Sequence, residues 1–221
     1  YNKEITLTKV NFYWLHNILV IITFLILGLA LVRLMTSYGS LFARNVIANE
    51  YEGDSNYNKE NTLTKVNFYW LHNILVLITF LTIIIFWWNV YPLNNLDFMP
   101  DNKWNLFSYF LFLLGPFIFF MLCDIIVPSN RDSIEINLKI YYYKHNKLII
   151  GLCILLQISF LINLLFFFQE DISSTKCIGR IVLIIMMTPL FFSKNEKIHQ
   201  SVISIFFIGF IYTVLKYHIY S

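Results

Sequence analysis

His16 and His72 each stand in the string FYWLHN, inside a long apolar run. A histidine buried there could ligate haem or a metal, or pass a proton between its two ring nitrogens. Asp124, in FMLCDIIVP, is the one acid within an apolar stretch, and such a carboxylate can couple to an ion. Gln157 and Asn163, in ILLQISFLINLL, carry amides able to line a polar path or to bond between helices. Asp124, Gln157, Asn163 and His72 are the candidate polar residues.

Each has a simpler structural role to set beside these. His16 and His72 lie near the starts of two runs that must cross in opposite directions. At 1.5 Å per residue that separates them by roughly 20 Å of depth, too far for one metal or for both axial positions of one haem. A hydrogen bond near Asn17 or Asn73, or to headgroups, is the favoured role, and no metal, haem or other cofactor is expected. Gln157 and Asn163 fall on different faces of one helix, which suits interhelical bonding better than a shared site. Asp124 lies roughly 6 Å from the end of its run and can reach water.

No HExxH, GxSxG, CxxC, HxxxH or phosphate-cradling glycine loop is present, so no catalytic residue is assigned and a non-enzymatic protein is expected. Cys123 and Cys153 lie in apolar runs and read as small hydrophobes; with Cys177 they show no disulfide or metal spacing. The sixteen Lys and Arg leave a net charge of +3, scattered through loops. Nucleic-acid binding needs them massed, so no such partner is expected.

The elements that position these residues follow from composition. Among 221 residues 58% are hydrophobic and only 13% charged, against roughly a quarter charged in soluble domains. A hydrocarbon core about 30 Å thick needs roughly 20 apolar residues in a helix. Six runs meet or approach that length: Phe12–Leu34, Val66–Tyr91, Leu106–Val127, Leu148–Phe168, Ile178–Phe192 and Val202–Tyr220. The fold class is therefore an all-α integral membrane bundle of six helices with no soluble domain. The fifth run is short, and Arg180 near its start is expected to snorkel outward or to mark a re-entrant segment. Gly115-Pro116 and Pro189 interrupt the third and fifth helices.

Between the spans, Thr36–Lys65 reads as a polar loop with a short amphipathic stretch. Ile134, Ile136, Leu138, Ile140 and Tyr142 alternate as in a strand, yet the same segment also fits an interfacial helix. Tyr141, Tyr142 and Tyr143 beside Lys144 and Lys147 read as headgroup anchors. With six crossings, one side collects six Lys and Arg and the other ten. The positive-inside rule makes the second side cytoplasmic and both termini extracytoplasmic.

Residues 1–25 recur at 57–81 with only Ile5/Asn61 and Ile21/Leu77 differing. Each copy carries the start of one span. A recent duplication and a sequence-assembly error would both give this pattern. The second span is expected to pack mainly through its unshared half, Thr82–Tyr91, so that the two copies occupy non-equivalent sites.

The stretches LGLALVRLMTSYGSLF (27–42), FYWLHNILVLITFLTIIIFWWNVY (68–91), FLLGPFIFFMLCDIIVP (112–128) and INLKIYYYKHNKLIIGL (136–152) resemble a family of uncharacterised bacterial inner-membrane proteins with six helices. The resemblance covers about residues 26–152 and implies no catalytic residue. The expectation is a polytopic protein of the bacterial inner membrane, an accessory or assembly component of a membrane complex. Its partners would then be the lipid bilayer and other membrane subunits. The alternative is a small transporter or channel, which a polar path joining Asp124, Asn163 and Gln157 would favour.

Overall fold

The computed structural model describes residues 2–51, 65–90, 106–128, 135–166 and 169–216, with side chains for 17–48, 65–88, 107, 110–128, 135–166 and 169–216. Among these residues the chain forms six helices and two short strands. They follow in the order α1 (Asn2–Tyr51), β1 (Lys65–Asn67), α2 (Trp70–Val90), α3 (Leu106–Ile126), β2 (Glu135–Asn137), α4 (Leu138–Phe166), α5 (Thr175–Phe192) and α6 (Glu196–Val214). Five helices hold segments long and apolar enough to cross a membrane, and α3 adds the shorter apolar segment Phe110–Ile126. The protein is an all-α bundle of the membrane-spanning kind.

Several boundaries differ from those read in the sequence, for one reason. Hydropathy marks the length a helix spends in lipid, whereas backbone hydrogen bonding carries the helix onward through polar residues. Thus α1 runs on to Tyr51 through half of the expected loop, and α4 begins at Leu138 rather than Leu148. Helix α6 likewise starts at Glu196 rather than Val202. The second span starts later than expected, at Trp70, because Lys65–Asn67 is a strand. The fifth is a helix of 18 residues, capped by Ser174, whose side chain accepts from the Cys177 amide.

The Ser129–Lys147 segment takes both of its readings in turn. Glu135–Asn137 pairs in parallel with Lys65–Asn67, turning Val66 and Ile136 inward. Asn137 then caps α4, its Oδ1 accepting from the amides of Lys139 and Ile140. From there the helical period prevails: Leu138, Tyr142, Asn146 and Ile149 are buried, while Ile140, which a strand would turn inward, is 67% exposed.

The parallel pairing places the starts of α2 and α4 at one end of the bundle. Asn45, late in α1, accepts there from the Val66 amide, and Tyr141 donates to the Ile125 carbonyl at the end of α3. Asn146 reaches the carbonyls of Leu190 and Ser193 at the end of α5. The described helices therefore alternate in direction, with the ends of α1, α3 and α5 meeting the starts of α2, α4 and α6.

The core lies where α4 packs against α3 and α5, and α1 against α3. Leu27, Ile83, Phe119, Ile126 and Ile149 are fully enclosed there. In a bilayer such contacts act through dispersion and close fit, because lipid is as apolar as leucine. Gly115 serves that fit: a Cβ at this site would lie 3.4 Å from Ser159 Oγ and 3.8 Å from the rings of Phe160 and Phe86. Phe86 and Phe160 stack beside it with centroids 5.2 Å apart.

The two copies of the repeat bury the same face. Val20 and its counterpart Val76 are enclosed, as are Thr23 and Thr79, while Ile21 and Leu77 both face outward. Both threonines donate to the carbonyl four residues back, Thr23 to Leu19 and Thr79 to Leu75. Helix α2, however, packs chiefly through its shared first half: Leu71, His72, Leu75, Val76, Ile78 and Thr79 are all buried, whereas Ile84, Trp87 and Trp88 are exposed. Over residues 82–88 this reverses the expectation for Thr82–Tyr91, the rest of which lies outside the residues with described side chains, because the strand pair and the start of α4 gather around the beginning of α2.

Candidate functional site

The densest group of polar and titratable side chains forms at the end of the bundle beside the strand pair. Tyr69 comes from the linker before α2, His72 from α2, Lys139 and Tyr141–Tyr143 from α4, and Glu196 and His199 from α6. Two of these elements are held in place by asparagine caps, Asn137 on α4 and Asn195 on α6, whose Oδ1 atoms accept from the first helical amides.

At its centre the Tyr142 hydroxyl lies 2.7 Å from His199 Nδ1, both side chains wholly enclosed. His199 Nε2 is 2.8 Å from the Ser193 carbonyl, which can only accept. In the neutral ring Nε2 therefore carries the proton, Nδ1 accepts, and Tyr142 donates. This chain of bonds ties α4, α6 and the α5–α6 turn together. A second chain lies nearer the rim. Glu196 accepts from Lys139 Nζ at 2.8 Å, from the Tyr69 hydroxyl at 3.3 Å and from Gln200 Nε2 at 3.2 Å. The hydroxyls of Tyr69 and Tyr143 lie 3.3 Å apart.

His72 is fully enclosed, and neither ring nitrogen meets a protein hydrogen-bond partner. Its ring stands edge-on to Tyr141 and Tyr142, with centroids 6.2 and 6.4 Å away. The expected bond near Asn73 is not formed, since Asn73 Oδ1 is itself without a partner. The side chain of His16 lies outside the described residues. Among the described residues no three His, Cys, Asp or Glu side chains gather as a metal site would require.

Of the other candidates, Asp124 lies at the level of this cluster, next to the Ile125 whose carbonyl accepts from Tyr141, while Gln157 and Asn163 lie much further along α4. Asp124 faces Arg33 of α1, with Arg33 Nη2 2.7 Å from Asp124 Oδ1 and both side chains about half exposed. Gln157 accepts from Arg180 Nη1 at 2.9 Å. Asn163 is buried with its Oδ1 unpartnered. Tyr141 marks the level of Ile125, so at 1.5 Å per residue Gln157 sits about 24 Å and Asn163 about 33 Å deeper along α4. The structure thus does not join Asp124, Asn163 and Gln157 in one path.

One sequence reading is corrected here. Tyr142 is an enclosed core residue rather than a headgroup anchor, because position 142 shares the inward face of α4 with Leu138 and Asn146. Arg180 reaches across to α4, because the antiparallel α4–α5 register that sets Asn146 beside Leu190 brings Gln157 level with it. Sequence reasoning missed His199, Tyr69 and Glu196. The signal for His199 was its place on a weakly polar first turn, which hydropathy assigns to a loop.

No family model, curated protein or solved structure matches the chain.

Proposed function

We propose that the protein is a non-enzymatic component of the bacterial inner membrane, an accessory or assembly partner of a larger complex, with both termini extracytoplasmic. One observation carries this reading. The polar residues of the spans lie at different depths, and those with side-chain partners are spent on joining one helix to the next: Asp124 to Arg33, Gln157 to Arg180 and Tyr142 to His199. Such pairs act as interhelical glue. The shape of the bundle agrees. Half of the apolar window of α4 is buried, against 11% for α6, which leaves the α5–α6 side broad and apolar. The resemblance to small six-helix bacterial proteins belongs to the same proposal.

The test is purification of the tagged protein from its native membrane in mild detergent, with its companions identified by mass spectrometry. A stoichiometric membrane subunit is the expected result; a monomer with no companion under several detergents counts against the reading. The charged Arg180 inside a span favours a second one, a small transporter or channel. Solute flux in proteoliposomes that Arg180→Met abolishes would favour it over the first.

A further inference from the structure

Arg180 is a cation within a membrane-crossing helix whose hydrogen-bond partner is neutral. Its Nη1 donates to Gln157 Oε1 at 2.9 Å, and its guanidinium carbon lies 4.8 Å from the centre of the Phe160 ring. A guanidinium has five N–H donors, and the Gln157 amide takes one of them. Among the described residues no carboxylate pairs with it: Glu170 is bound to Lys176, Asp124 to Arg33 and Glu196 to Lys139. A charge withdrawn from water is costly unless an opposite charge meets it, and arginine's planar fork matches the oxygens of a phosphate.

The surroundings carry charges of both signs, with Lys176 paired to Glu170 and Asp171 standing shortly before α5. Lys176 precedes Arg180 by one turn on the same face of α5, its side chain 69% exposed. Lys176 lies in the first turn of α5, where the helix dipole favours an anion. Arg180 sits about 7.5 Å along the helix from Thr175, and side chains lean toward the helix start, so the guanidinium is within reach of the headgroup level.

We propose that the α4–α5 seam is a phosphate site, in which Arg180, oriented by Gln157, takes the phosphate of a phospholipid headgroup or of a soluble phosphate compound, with Lys176 at its mouth. The phosphate supplies the counter-charge that the protein's own carboxylates do not. The proposal stands apart from the accessory reading, since it needs no other subunit.

The test uses the full chain in detergent, titrated with phosphatidylglycerol, with diacylglycerol of the same acyl chains, and with inorganic phosphate. Native mass spectrometry reads lipid retention and thermal unfolding reads stabilisation. Phosphatidylglycerol should bind and raise the melting temperature while diacylglycerol does neither. Arg180→Met, which removes the charge and keeps the bulk, should weaken retention roughly tenfold or more, as loss of a charged hydrogen bond predicts. If inorganic phosphate stabilises the wild type but not Arg180→Met, and phosphatidylglycerol is inert, the ligand is a soluble phosphate. Equal binding by wild type and Arg180→Met overturns the proposal, as does a wild type that responds to neither phosphate source. Should Arg180→Met fail to fold, the lipid pair on the wild type decides, and equal stabilisation by phosphatidylglycerol and diacylglycerol is then the refuting result.

Discussion

Replacing Tyr142 by phenylalanine removes a single oxygen from a fully enclosed ring. The hydroxyl donates to His199 Nδ1 at 2.7 Å, and both side chains are at 0% exposure. The ring itself should stay in place, because it packs edge-on against His199 and Tyr143 at centroid distances of 5.5 and 5.0 Å without using the oxygen. What the substitution leaves is a buried acceptor with no donor. Orphaning such a group costs about 1–3 kcal/mol, whereas hydrogen bonds between membrane helices average about 0.6 and reach about 1.7 kcal/mol. Full enclosure of both partners places this one toward the upper end of the membrane range, so about 1–2 kcal/mol should be lost. Reversible unfolding in mixed micelles measures it, with Tyr212→Phe as the control, since that ring is 62% exposed. A double-mutant cycle with His199→Leu should give a coupling of about 1 kcal/mol and separate this bond from the one His199 makes to Ser193. If Tyr142→Phe unfolds within about 0.5 kcal/mol of wild type, as surface substitutions do, the bond does not tie α4 to α6 and the cluster is not a structural joint.

Other outcomes follow from single contacts. Gly39→Ala should stabilise by about 0.5–1 kcal/mol in the same assay, because a Cβ there meets nothing within 4 Å and alanine is the better helix former. Gly115→Val should cost about 1–3 kcal/mol by forcing α3 away from Ser159 and Phe160. Asp124→Asn should change stability by no more than about 1 kcal/mol, with the difference shrinking in high salt, because its ion pair with Arg33 is about half exposed. A C-terminal alkaline phosphatase fusion should be active and a C-terminal green fluorescent protein dark; the reverse pattern would place the end of α6 in the cytoplasm.

The helices were legible because lipid imposes one rule on all of them: a long apolar run must satisfy its backbone internally. Their ends were not, because polar first turns such as Lys139–Tyr143 and Glu196–His199 lie in helices that hydropathy does not see. The same blind spot hid the tyrosine–histidine cluster, which is assembled from those first turns and from Tyr69 beside a three-residue strand. Spacing within one helix could place Tyr142 on the face of Leu138 and Asn146, but only the register between α4 and α6 brings it to His199. Asp124 was read as able to reach water, and it is about half exposed; its partner was not legible, because Arg33 belongs to a helix whose neighbours the sequence does not name.

The repeat separates what letters decide from what neighbours decide. In both copies the valine and threonine of NILV(I/L)ITFL turn inward and the variable position turns outward, so the choice of buried face is a local property of the string and its helical period. Depth of burial is not. Leu75 is enclosed in α2 while its counterpart Leu19 is only half-buried in α1, and Leu25 is 60% exposed while Leu81 is half-buried. Helix α2 touches α1, α3, α4 and α6, whereas α1 leans chiefly on α3. One string can therefore serve two sites provided its inward face is small and regular enough to meet different partners. The one difference between the copies among residues with described side chains, Ile21 against Leu77, falls on the outward face, where an exchange of isomers leaves helix packing untouched.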